Sequence, residues 1–141
     1  LGESFGAWNK DENDSTQGCQ MSLAKDDALG EENGKSLQLD YDVDSPNPAY
    51  NGFWLKMSSA KVNDFDTLSF YVKGDENKGF TSKIKIEIKD KKKGKATFLI
   101  ENISNKWQKI SLTLDKRSFS EKEPKPFEEF VIVFDDINSS P

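Results

Sequence analysis

In the stretch "SKIKIEIKD", Ser82–Asp90, isoleucine alternates with a charged residue at every step: Ile84, Ile86 and Ile88 are each flanked by lysine or glutamate. Successive side chains of a β-strand point to opposite faces of the sheet, so this period of two places the isoleucines on a core and the charges toward water. The stretch therefore predicts a half-buried strand.

The same pattern recurs along the chain. Alternating runs are found at residues 36–43, 68–73 and 109–114, and further strand candidates are Cys19–Leu23, Gly52–Ser58, Ala96–Glu101 and Glu129–Phe134. The last candidate is apolar at every position from Phe130 to Phe134, which is typical of a strand buried on both faces. No stretch has sustained helical periodicity.

Turn-forming residues separate these runs; Lys91-Lys92-Lys93-Gly94, for example, is expected to cap a hairpin. Short strands with this spacing predict an all-β fold, an antiparallel β-sandwich of the jelly-roll type with about eight strands in two sheets. A length of 141 residues fits a single domain over residues 1–141. We interpret the chain as part of a larger protein.

Composition narrows the function classes. The net charge of −5 disfavours nucleic acid, whose phosphates need a basic surface, and no apolar run has the length of a transmembrane segment. The chain has no histidine, which removes the Ser-His and Cys-His nucleophile systems and the usual zinc ligands. Cys19 is the only cysteine, so an internal disulfide is impossible. We expect a protein that is not an enzyme.

The segment "DSPNPAYNGFWLKM", residues 44–57, combines a turn with a strand. Its two prolines exclude a central strand before Tyr50. Beyond Gly52, Phe53 and every second residue share one face, and Trp54 and Lys56 share the other. An outward indole is a flat apolar surface for the ring face of a sugar. A shift of one residue would reverse the two faces.

The candidate ligand-binding residues are aromatic and polar side chains that the pattern places on outward faces or in turns: Trp54, Tyr71, Trp107, Lys56, Asp42 and Tyr50. Further polar side chains could supply hydrogen bonds to the sugar: Asp40, Asp42, Lys73, Glu87 and Gln108. Packing in the core is the alternative for Trp54 and Trp107, because large aromatic side chains are often buried.

The polar segment "NKDENDSTQG", residues 9–18, is the candidate metal site. Calcium binds carboxylate, amide and carbonyl oxygens, which Asp11, Asn13 and Asp14 offer, although the spacing does not match an EF-hand loop. The alternative is a solvated loop whose side chains cap its own backbone.

Seven segments carry a resemblance to a known family. They are "FGAWNKDENDSTQGC", "GKSLQLDYDV", "AYNGFWLKM", "FDTLSFYVKGD", "KIKIEIKD", "WQKISLTL" and "FEEFVIVFDD". In this order the chain resembles galactose-binding-like jelly rolls, namely carbohydrate-binding modules of the family 11 and family 4 type and the complex I intermediate-associated protein 30 domain. The resemblance implies a non-catalytic module that binds a glycan or polysaccharide, a structural calcium ion near the N-terminal strand, and an extracellular or cell-envelope location.

A structural or assembly module that docks onto a protein partner is the alternative function. The galactose-binding-like domains that the chain resembles usually end with a further strand, whereas this sequence stops at "DDINSSP". We expect from this an unpaired sheet edge next to Glu129–Phe134, where a partner could add a strand.

Overall fold

The computed structural model describes residues 4–25, 28–30, 34–57, 67–92, 94–114 and 127–139. These residues form nine strands: β1 (Phe5–Asn9), β2 (Gly18–Ala24), β3 (Ser36–Asp42), β4 (Tyr50–Lys56), β5 (Thr67–Val72), β6 (Ile84–Asp90), β7 (Lys95–Ile100), β8 (Gln108–Thr113) and β9 (Phe127–Asp135). Each pairing between them is antiparallel. The all-β prediction is confirmed. Within the described ranges, no helix is long and apolar enough to span a membrane.

The strands form one five-stranded sheet, in the order β1-β4-β9-β6-β7, and two ribbons, β2-β3 and β5-β8. Strand β9 lies at the centre of the large sheet. Its residues Phe130, Val131, Val133 and Phe134 are all buried, as its continuous apolar sequence predicts.

The core lies between the large sheet and the two ribbons. The isoleucines of β6 are at most 4% exposed and belong to it. Phe70 of β5 meets Phe130 edge-on at 5.6 Å between ring centroids, and Tyr41 of β3 stacks on Phe134 at 3.9 Å. Both ribbons thus cover the same face of the large sheet, which makes the fold an antiparallel β-sandwich. Its jelly-roll connectivity stays a prediction.

Two details of the sequence interpretation change. The sequence predicts about eight strands, and the additional one is β1, which pairs with β4. The predicted unpaired edge next to Glu129–Phe134 is wrong, because β9 pairs with β4 on one side and β6 on the other. A strand that is apolar on both faces is stabilised by a central position, where neighbours satisfy its backbone and cover its side chains.

The predicted hairpin turn joins β6 to β7. Asp90 Oδ1 accepts the N–H groups of Lys92 and Gly94, both at 2.8 Å. A Cβ atom at Gly94 would lie 2.3 Å from Asp90 Oδ2, so the close approach of this carboxylate requires glycine. Lys93 lies outside the described residues.

Candidate functional site

The register of β4 decides which side chains face the core. Phe53 is 2% exposed and belongs to the buried face, while Trp54 is half-buried on the opposite, outer face of the sheet. Tyr50, Gly52 and Lys56 share the outer face with Trp54, because side chains two residues apart in a strand point the same way. Of the two possible registers, the strand therefore adopts the one in which Phe53 faces the core and Trp54 points away from it.

A depression of about 420 Å³ lies on this outer face. Its lining residues come from four adjacent strands: Trp8, Tyr50, Trp54, Lys56, Glu87, Lys89, Glu129, Val131 and Val133. Aromatic side chains of β1 and β4 form one side, the two valines of β9 form the floor, and charged side chains of β6 form the other side. The volume is near the lower end of the roughly 300–1,000 Å³ found for small-molecule sites.

Two glycines support the aromatic side. Trp54 pairs with Gly6 across the β1–β4 ladder, and its Nε1 atom is 3.2 Å from the place that a Cβ of Gly6 would take. Trp8 pairs with Gly52 in the same way, again with Nε1 at 3.2 Å. Each indole therefore lies against the bare backbone of the neighbouring strand.

A third ring extends this surface. The rings of Trp8 and Tyr50 have centroids 5.7 Å apart and planes inclined by 54°. Tilted contacts at this separation are favourable between aromatic side chains. Trp8, Tyr50 and Trp54 together form what we call the aromatic wall.

One end of the depression carries a charged row across three strands. Glu129 of β9 pairs in register with Lys56 of β4 and Lys89 of β6, and each lysine Nζ is 3.4 Å from a Glu129 carboxylate oxygen. We call this set the lysine–glutamate row. Glu87, 7% exposed, lies next to it and pairs with Lys95 at 3.4 Å.

Lys85 of β6 borders the opposite end, because it pairs in register with Val133 and lies against Tyr50, two residues that line the depression. Its Nζ atom lies 4.8 Å from the ring centroid of Tyr50 and 3.1 Å from Asp135 Oδ2. Burial lowers the pKa of Lys85, but hydrogen bonds to Tyr50 and Asp135 outweigh it, so the pKa is raised above its ordinary value. Burial raises the pKa of Asp135, but hydrogen bonds from Asn138 and Lys85 outweigh it and leave that pKa lowered. Both groups are thus charged at neutral pH.

The structure brings together three of the predicted ligand-binding residues, Trp54, Lys56 and Tyr50, and places the other three outside the lining of the depression. Tyr71 of β5 is 51% exposed, as its outward position predicts. Trp107 lies just before β8 with Lys73 Nζ 6.0 Å from its ring centroid. Asp42 ends β3 and accepts the N–H of Asp44 at 2.9 Å.

The candidate metal residues make hydrogen bonds within their own loop. Asp11 Oδ1 accepts the N–H of Asn13 at 2.9 Å, and Asp14 accepts both the hydroxyl and the N–H of Thr16. Hydrogen bonds from Thr16 and Gln17 hold the pKa of Asp14 well below its usual range. Among the described residues, no three His, Cys, Asp or Glu side chains form a group suited to a metal ion. Calcium stays a prediction, tested by a rise in melting temperature on adding calcium that Asp11→Ala removes.

Sequence reasoning missed Trp8, Lys89 and Glu129. A strand signal is absent around Trp8, because "FGAWN", residues 5–9, does not alternate apolar with polar residues. For Lys89 and Glu129, the place in the depression depends on β6 lying beside β9, which local sequence does not specify.

Comparisons with protein-family models, with curated proteins and with solved structures found no match to the chain. The chemistry of the depression must therefore carry the functional argument. It offers flat aromatic surfaces beside ammonium donors and carboxylate acceptors whose positions are fixed by ion pairs.

Proposed function

We propose that the chain is a non-catalytic carbohydrate-binding module and that the depression binds the glycan. The observation that carries the proposal is the aromatic wall, which stands on the outer face of the sheet within one depression with lysine and carboxylate groups. A pyranose has an apolar C–H face that suits an aromatic ring, and hydroxyls that donate and accept hydrogen bonds. Both requirements are met within the depression.

The charge balance favours an uncharged glycan. Two lysines line the depression, Lys56 and Lys89, and two carboxylates stand against them, those of Glu87 and Glu129. A sulfated or uronic acid polymer would need an excess of positive charge. The ion pairs also hold the polar groups in place before the glycan arrives, which reduces the entropy cost of binding.

The experiment is a glycan array followed by titration calorimetry on the best ligand, with three variants. Trp54→Ala removes one of the three rings of the aromatic wall, and we expect binding to fall by at least about tenfold, or ~1.4 kcal/mol. Trp54→Phe keeps a ring and should retain part of the affinity. Tyr71→Ala removes an exposed aromatic outside the depression and should bind as the wild type does.

Circular dichroism and melting curves must show that each variant is folded. Unchanged binding by a folded Trp54→Ala variant would show that the glycan does not bind in the depression. Loss of binding in Tyr71→Ala alone would place the glycan on the β5-β8 ribbon, where the sequence also offers a candidate ring.

The predicted extracellular or cell-envelope location and membership of a larger protein belong to the same proposal. Docking of a partner strand loses its main support, because β9 is paired on both sides.

A further inference from the structure

The two ends of the depression limit the ligand that it accepts. Resting on the proposed function, we infer that the depression binds one sugar unit at the end of a glycan, and that it does not bind the interior of a polysaccharide chain. The reason is that charged side chains of β4, β6 and β9 cross the floor of the depression at both of its ends.

The floor of the depression follows β9 through Val131 and Val133. The sides of the depression stand on β4 and β6, which flank β9, and Trp8 of β1 extends the β4 side. Neighbouring strands are about 4.8 Å apart, so the backbones of the two sides are roughly 10 Å apart. A groove of this width that was open at both ends would accept a linear glycan lying along the strands.

The lysine–glutamate row crosses the floor at the first end. Glu129 stands on the floor strand, and Lys56 and Lys89 reach it from opposite sides, each at 3.4 Å. The exposed fraction of the Glu129 side chain is 19%, so the two lysine side chains cover much of it. A glycan leaving the depression at this end would have to separate both ion pairs.

Lys85 crosses the floor at the second end. It stands on β6, contacts Asp135 of β9 and lies over the ring of Tyr50 on β4. The side chain therefore spans all three strands. The Asp135 side chain is 4% exposed, so opening this end would leave a nearly buried carboxylate without its cation, which is costly.

Little length remains between the two ends. Lys89 lies four positions after Lys85 in β6, and at about 3.4 Å per position their Cα atoms are roughly 14 Å apart before either side chain is counted. Only the cross-strand rows of Trp54–Val131–Glu87 and Gly52–Val133–Lys85 lie between the lysine–glutamate row and the Tyr50–Asp135 pair that the Lys85 side chain reaches. That space suits one pyranose ring against the aromatic wall and leaves no exit along the strands for a chain.

The experiment compares ligand lengths by titration calorimetry on the intact chain. The probes are methyl glycosides of glucose, galactose, mannose and xylose, and the linear disaccharide, tetrasaccharide and hexasaccharide of each sugar. For the sugar that binds, we expect the hexasaccharide to bind within about threefold of the methyl glycoside, a difference of less than ~0.7 kcal/mol. Two modified hexasaccharides identify the terminus that is bound. In one the reducing end is reduced to the alditol, and in the other the non-reducing end is capped; the modification that abolishes binding marks the bound terminus.

Two variants sharpen the result. Lys85→Ala opens the second end and should raise the ratio of hexasaccharide affinity to glycoside affinity. Lys83→Ala removes a lysine of the same strand region that pairs with Glu101 away from the depression, and should leave the ratio unchanged.

A wild-type affinity that rises by about tenfold or more from disaccharide to hexasaccharide would overturn the terminal-sugar inference while leaving glycan binding intact. No binding of any probe would overturn the proposed function and this inference together.

Discussion

Trp54 and Gly6 face each other across the β1–β4 ladder, and the indole of Trp54 lies against the glycine so closely that a Cβ there would be 3.2 Å from Nε1. Trp8 and Gly52 repeat the arrangement one row along. The position of each indole is thus set by the backbone of the adjacent strand. Such a surface is preformed, which is what weak recognition of a sugar requires.

Replacing Gly6 with alanine should disturb the aromatic wall. The new Cβ would stand 3.2–3.4 Å from three atoms of the Trp54 indole, so the ring must shift by a few tenths of an ångström. We expect glycan affinity to fall by about two- to threefold, or ~0.5 kcal/mol, with little change in stability. Gly18→Ala is the control, because its Cβ would meet Asn9 at ordinary contact distances of 3.4–3.7 Å outside the depression. Equal affinities for the two variants would argue against a positioning role for Gly6.

Gly52→Ala should have a different effect. Its Cβ would lie 1.9 Å from the backbone carbonyl oxygen of Ile132, an atom that cannot move without breaking the sheet. We expect the free energy of unfolding to fall by about 3 kcal/mol or more. Urea denaturation of Gly52→Ala and Gly6→Ala side by side measures the difference, and similar midpoints would contradict it.

The alternating strands were predictable because their signal is local. The period of two in residues 82–90 places the isoleucines in the core, which the structure confirms. It also predicts that the charged residues face water, which is wrong for Glu87 and Asp90: they are 7% and 2% exposed, because Glu87 lies in the depression beside Lys95 and Asp90 binds the backbone of the hairpin turn. The same signal was ambiguous for Trp54, because a shift of one residue in the strand register would move its side chain from the outer face of the sheet into the core. Phe53 settles the choice by taking a buried position.

The depression was not predictable, because it depends on which strands are neighbours. Trp54 and Glu87 lie on opposite sides of it only because β9 lies between β4 and β6. Strand β9 was expected beside an unpaired edge, whereas it lies at the centre of the large sheet. The position of a strand in the sequence does not determine its position in a sheet. Strand β1 was missed because its five residues include a glycine and an asparagine, which are poor strand formers.

The Lys85–Asp135 pair should make stability depend on pH at both extremes. The folded pKa of Asp135 is lowered, so its contribution is complete above about pH 5 and is lost as the pH falls through the folded value. The folded pKa of Lys85 is raised, so its contribution is complete below about pH 10 and is lost as the pH rises through the folded value.

Between these limits we expect little change in stability, because the chain has no histidine. Urea midpoints measured from acid to alkaline pH check the shape of the curve. Asp135→Asn should flatten its acid side. An acid side as steep in Asp135→Asn as in the wild type would contradict the assignment.

Cys19 should resist modification in the folded protein. It is 7% exposed, and burial raises the pKa of its thiol to about 12, so little of the reactive thiolate forms at neutral pH. Alkylation by iodoacetamide should therefore be at least about a hundredfold slower in buffer than in urea, since it requires an opening of the structure. Equal rates in the two conditions would mean that Cys19 is accessible.

The three tryptophans allow the most direct test of glycan binding at the depression. Trp8 and Trp54 belong to the aromatic wall, and Trp107 lies outside it. The indole N–H signals of all three can be followed by heteronuclear NMR while the glycan selected on the array is added. We expect the signals of Trp8 and Trp54 to shift in a saturable way and that of Trp107 to stay in place. A saturable shift of Trp107 alone, or no shift of Trp8 and Trp54 under conditions where calorimetry detects binding, would contradict the proposed site.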